Sequence, residues 1–264
     1  TTGVLDVSAT NYAISVGGDW TDAGAGTFTE QGGTVTFDVS TAGGTITTDD
    51  NFENLVINDT GNTITLGAAL DVDSQMVLTL GTLDVSASNY AMTVGGGWSD
   101  TGAGAFTERA GTVTFDGAGT LSSNEAFNDV AFSSGTVTLG AALDVDDDLA
   151  ISGGTLDVGA TNFGITLGGD WSRSSGTFTQ QSGTVDLDGG ASAQTMTGST
   201  TFYGLTKTET ASSTLYVTAG DTMTASNTLT LTGTTGALIT MESTSAGTVG
   251  IINAPASNVT VTHI

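Results

Sequence analysis

GTLDVSASNYAMTVGGGW, residues Gly81 to Trp98, is the middle of three near-copies in one chain. GVLDVSATNYAISVGGDW runs from Gly3 to Trp20, and GTLDVGATNFGITLGGDW from Gly154 to Trp171. Each copy holds two short runs in which apolar and polar residues alternate. A small polar segment with an asparagine separates them, and glycines close the phrase. Alternation at period two marks strands with one buried face. Asn, Asp, Ser and Gly between such runs are turn formers.

The likeness extends outward from the quoted phrase. GTFTEQGGTVTFD (Gly26 to Asp38) matches GAFTERAGTVTFD (Gly104 to Asp116) and GTFTQQSGTVDLD (Gly176 to Asp188). NTITLGAALDVD (Asn62 to Asp73) matches GTVTLGAALDVD (Gly135 to Asp146). The tryptophans lie 78 (98 − 20) and 73 (171 − 98) residues apart. Three internal repeats follow, 3–80, 81–153 and 154–233, with a divergent tail over 234–264.

Composition agrees with β structure throughout. The chain of 264 residues has 39 glycines, one proline, no cysteine and only 6% aromatic residues, and Thr, Ser, Ala and Val dominate the rest. Glycine disfavours helix interiors, threonine and valine prefer extended backbone, and no stretch carries a capped 3.6-residue apolar stripe. Two all-β architectures fit, a parallel β-helix or β-solenoid and a series of tandem β-sandwiches. The solenoid is favoured because units join strand to strand without linkers and the apolar residues are small and evenly spread. The expectation is one continuous solenoid over 1–264, right-handed, with coils of about twenty residues. A coil cannot bury its apolar face alone, so more stack is made by copying the phrase.

The chain resembles repeat regions of large bacterial surface and secreted proteins: adhesins, autotransporter passengers and filamentous-haemagglutinin-like proteins. The phrases that carry this are GTLDV–Asn–Tyr/Phe–GGxW, GTFT…SGTVTFDG and the tail Leu229 to Ile264. The resemblance implies a parallel β-helix at a cell surface or in the extracellular space, in a bacterium. It implies no active site.

Candidate chemistry is sparse. Asp144, Asp146 and Asp148 in LDVDDDL form the densest acidic cluster, echoed by Asp71 and Asp73 in LDVDS. On one strand the first three would share a face and offer hard oxygen donors suited to Ca²⁺. A calcium-loop spacing is missing, since Leu149 follows Asp148, and a solvated acidic face is the plainer reading. Trp20, Trp98 and Trp171 suit either a sugar-stacking platform or a plug at one corner of each repeat, and repetition favours the plug. Asn11, Asn89 and Asn162 suit turn hydrogen bonds. The glycine pairs lack the lysine of a phosphate loop. Only Arg109, Arg173 and Lys207 are basic, and the single histidine is His263, so no catalytic constellation is assigned and no enzyme is expected.

A formal charge of −25 argues against nucleic acid and anionic membrane as partners and favours cations. No run is long enough for membrane insertion. GVLDV enters repeat register at the third residue and NVTVTHI is still strand-like, so no polar cap is visible at either end. The functional expectation is a secreted structural protein that assembles with itself, end to end or by terminal strand exchange, into a filament, sheath or surface layer. The alternative is the stalk or binding module of a giant adhesin with surface glycans as partners; a carbohydrate-active enzyme ranks third. No cofactor is required, and Ca²⁺ is the ion the acidic surface would take.

Overall fold

Small β-branched and apolar side chains at alternate positions give strands with one inward face, and these strands stack in parallel. This was established from a computed structural model that describes all residues except Thr1, Thr2, Ala23, Ala25, Val39, Ser40, Thr41, Thr101, Ala256 and Ser257. No described residue is helical, and the parallel strands form a β-solenoid of about 11 turns. The chain divides into two compact units, Thr1–Asn128 and Asp129–Ile264. Their boundary falls inside the second sequence repeat.

In the first unit the register links Ile14 to Val35, Val35 to Leu55, Leu55 to Met76, Met76 to Trp98 and Trp98 to Leu121. Each partner lies 20 to 23 residues beyond the last, which is one coil. In the second unit one column runs Val130, Leu149, Trp171, Met196, Val217, and another runs Leu143, Ile165, Val185, Leu205, Leu229. Most of these residues are buried, many with no exposed surface, so the core is a set of apolar columns. Strand pairings of this kind exclude tandem sandwiches, whose sheets would be antiparallel; the described antiparallel contacts are isolated bridges in the tail, at Thr234–Ala237 and Ser245–Thr248.

The turn in LDVSATN is built by its own side chains. Asp6, Asp84 and Asp157 each accept from the backbone N–H two residues on, at 2.7, 2.7 and 2.9 Å. Asn11, Asn89 and Asn162 hold left-handed backbone, with φ of 58°, 55° and 62°. Their side-chain oxygens then accept from the backbone of the next coil, at Gly32, Ala110 and Ser182. One residue type thus sets the turn and ties it to its neighbour. Asn162→Ala is expected to cost about 2 kcal/mol, with the lost hydrogen bond and the left-handed backbone contributing about 1 each. Asn162→Gly relieves the backbone and should cost about half as much. Urea unfolding of the two variants checks the split.

Glycines at the corners allow the coils to close up. A Cβ at Gly95 would lie 2.2 Å from the Asp73 carbonyl oxygen, and one at Gly168 2.1 Å from that of Asp146. These glycines serve backbone packing between coils.

Candidate functional site

Asp144 and Asp148 do not share a strand. The strand Leu143–Val145 ends before Asp146, and Asp146 and Asp147 form a corner that leads to the strand Leu149–Ile151. Asp144 faces out between buried Leu143 and Val145. Burial, reinforced by the charge of Asp146, pushes its carboxyl above the usual range. Asp188 shifts the same way, through burial and then the charges of Asp144, Asp186 and Asp146.

Asp148 has a different task. Its backbone N–H donates to Asp129 Oδ1 at 3.1 Å, and its own Oδ1 accepts from Asp170 N–H at 2.7 Å. Asp170 Oδ1 in turn accepts from Thr195 N–H at 2.7 Å. Aspartates at one corner therefore form a ladder, each carboxylate satisfying the backbone of the coil above. Carboxylate oxygens of Asp129, Asp147 and Asp148 also lie within 4.8 Å of one another. Asp147 titrates high because of burial and then the charges of Asp148, Asp129 and Asp170.

In the first unit Asp71 is half-buried and Asp73 exposed, with Asp73 accepting from Asn51 Nδ2. Burial and the neighbouring charges of Asp73 and Asp116 raise the Asp71 carboxyl. The five aspartates singled out from sequence thus lie at exposed or half-buried positions on the solenoid surface. Asp146 and Asp148 line one surface pocket with Asp147, Asp170 and Asp188, and the carboxylate of Asp148 also lies near those of Asp129 and Asp147, while Asp71 and Asp73 belong to the first unit.

The tryptophans define a second kind of corner, present in all three repeats. Trp98 meets Phe106 and Phe127 edge-on, with centroids 5.0 and 5.2 Å apart. Trp171 meets Phe178 and Phe202 at 4.9 and 5.0 Å, and Trp20 meets Phe28 and Phe52 at 4.9 and 5.2 Å. Trp98 and Trp171 are 1% exposed, so their faces are closed to any sugar. Trp20 is half-buried.

Two residues beyond each tryptophan the chain carries a charge that repetition of the phrase alone did not single out. WTD pairs with ITTDDNF (Ile46 to Phe52), WSD with LSSNEAF (Leu121 to Phe127), and WSR with MTGSTTF (Met196 to Phe202). Aligned this way, Asp22, Asp100 and Arg173 are equivalent, as are Asp50, Glu125 and Thr200. The signal lay in two segments 20 to 30 residues apart, which only the register joins. In the first copy the carboxylates of Asp22, Asp49 and Asp50 lie within 4.8 Å of one another, and a hydrogen bond to Asp50 raises the Asp22 carboxyl.

No family model, curated protein or solved structure matches the chain.

Proposed function

We propose that this chain is a structural segment of an extracellular β-solenoid, stacking with copies of itself end to end into a filament, sheath or surface layer. One observation carries the reading. The strand Val4–Asp6 pairs only with Thr27–Thr29 among the described residues, and it exposes 73% of Val4 and 51% of Leu5. At the edge of the second unit the strand Asn258–Thr262 pairs, among the described residues, only with Thr222–Thr232, and it exposes 52% of Val259. Ile251 and Val261 are exposed beside it.

Among the described residues each of these strands has one parallel neighbour, and its outer edge, flanked by apolar side chains, suits a further parallel strand from a copy or from more of the same chain. A contact between unlike edges propagates instead of closing. The sequence resemblance to adhesins and secreted haemagglutinins supports a bacterial surface setting. The charge of −25 keeps single copies soluble and makes cations a natural mediator where copies pack. The reading gives the chain no catalytic role.

Light scattering and negative-stain microscopy at rising concentration test it. Wild type should form unbranched filaments. Val259→Lys with Val261→Lys should stay monomeric with an unchanged circular dichroism spectrum, because both side chains are already exposed. Monodisperse wild-type monomers at every concentration, with and without Ca²⁺, would overturn self-assembly. The stalk of a larger surface protein would then account for the open edges.

A further inference from the structure

The three tryptophan corners balance their charge differently. In the third, the cation is part of the chain: Arg173 Nε donates to Thr200 Oγ1 at 3.1 Å, Nη1 to the Gly176 carbonyl at 3.1 Å, and Nη2 to the Ser199 carbonyl. In the second, Asp100 stands where Arg173 does and Glu125 where Thr200 does. Asp100 is fully buried, and neither carboxylate oxygen has a hydrogen-bond partner among the described residues. Trp98 Nε1 is likewise buried without an acceptor, whereas Trp171 Nε1 donates to Thr200 Oγ1 at 3.3 Å.

No basic residue of the chain is left to neutralise this corner. Arg109 is engaged in a bidentate pair with Asp84 at 2.6 and 2.7 Å, Arg173 serves the third corner, and Lys207 is bound to Gln194 and Glu209. A buried, unpaired carboxylate costs several kcal/mol unless something charged or hydrogen-bonding meets it. Burial, with the charge of Glu125 adding to it, pushes the Asp100 carboxyl up to about 6.

We infer that the corner formed by Asp100 and Glu125 binds one divalent cation of the calcium class. The third corner shows that cationic donors fit this position. Its two carbonyl acceptors, Gly176 and Ser199, follow left-handed glycine backbone (Gly176 and Gly198, φ of 63° and 83°) that the second corner lacks, so there the two carboxylates are the protein ligands and water completes the shell. Calcium takes six to eight oxygens in irregular geometry and completes its shell with water, whereas magnesium demands a near-ideal octahedron. Glu125 is half-buried and opens the corner to solvent, giving the ion a path in. Glu125 also stands where Trp171 finds its acceptor, so the same carboxylate can ligate the ion and accept from Trp98 Nε1. The first corner, with Asp22, Asp49 and Asp50, is a more open version without a buried, unpaired group, and the inference does not extend to it.

Terbium luminescence excited through tryptophan tests the site, because Trp98 lies two residues from the proposed ligand. At about 150 mM salt diffuse binding to the acidic surface is screened. The expected result is a saturable emission component that Ca²⁺ displaces and that Trp98→Phe removes. Asp100→Asn and Glu125→Gln should each weaken it at least tenfold. Ca²⁺ should raise the thermal midpoint of wild type and of Trp98→Phe, but not of Asp100→Asn. Transplanting the third corner as Asp100→Arg with Glu125→Thr should give a folded protein with no Ca²⁺ response. Unchanged terbium affinity in Glu125→Gln, a half-buried site where folding is not at stake, would overturn the inference. Loss of all wild-type binding at 150 mM salt would do the same.

Discussion

Trp98→Ala is expected to destabilise the first unit by about 3–5 kcal/mol, the range for truncating a fully buried large aromatic. Trp98 is 1% exposed and is held edge-on by Phe106 and Phe127, which also touch each other at 5.7 Å. Each aromatic pair adds about 0.5–1.5 kcal/mol beyond the area it buries. The cavity left behind is lined by two rings anchored in separate coils, so it cannot collapse without moving the backbone. Trp171→Ala should cost at least as much in the second unit, since it also breaks the bond from Nε1 to Thr200 Oγ1. Trp20→Ala should cost clearly less, because its indole is already half in water.

The ranking matters more than any single value, because all three tryptophans occupy equivalent positions in near-identical phrases. Coils contact mainly their neighbours, so the loss should be local. Amide exchange read by mass spectrometry should speed up over residues 76–127 in Trp98→Ala and stay as in wild type in peptides beyond residue 200. Equal losses for Trp20→Ala and Trp98→Ala would show that burial is not what the phrase is copied to provide.

Legibility from sequence followed the same division between local and register-dependent features. The parallel β-solenoid was readable because alternation in TVTFD, TVTLG and AMTV reports directly on which side chains face inward, and because joined repeats left no linker. Coil length was readable for the same reason. The acidic run LDVDDDL shows the limit. Alternation places Asp144, Asp146 and Asp148 on one face only if the strand continues, yet the chain turns after Val145. Nothing in the local pattern distinguishes a corner from a further pleat. The Asp129–Asp148–Asp170 ladder and the Asp100–Glu125 corner were hidden because their members belong to different coils. Coil length varies by a few residues from one to the next, so no fixed spacing identifies such partners. Lys207 was hidden too: in sequence it is one of three scattered basic residues, and only the register puts it inside.

Lys207→Met is expected to cost about 3–5 kcal/mol in the second unit, although it replaces a charged core residue with an apolar one of similar length. Lys207 is fully buried in a column otherwise apolar, in register with Leu231. Its Nζ donates to Gln194 Oε1 at 2.6 Å and to Glu209 Oε1 at 2.5 Å, while Gln194 Nε2 donates to the carbonyls of Leu167 and Gly169 at 2.9 and 2.8 Å. Removing the lysine leaves Glu209, itself 3% exposed, as a buried carboxylate with its partner gone. Most of the cost comes from that stranded charge.

Lys207→Met combined with Glu209→Leu should therefore be more stable than Lys207→Met alone. What remains is one unmet acceptor on Gln194, worth about 1–3 kcal/mol. Urea unfolding of the two singles and the double forms a cycle that isolates the coupling. A double variant no more stable than the lysine single would show that Glu209 reaches water and that the pair is not a core element. The expected pattern has a consequence for folding. In a column of leucines and valines a slipped coil can still bury apolar side chains. A slip that moves Lys207 away from Gln194 and Glu209 buries an unpaired ammonium instead. The network then stabilises little in itself and penalises wrong registers heavily, so the double variant should recover most of the stability that Lys207→Met loses while losing uniqueness. Broadened amide resonances over Gln194–Thr208 in the double variant, beside sharp ones in wild type, would be the mark of that loss.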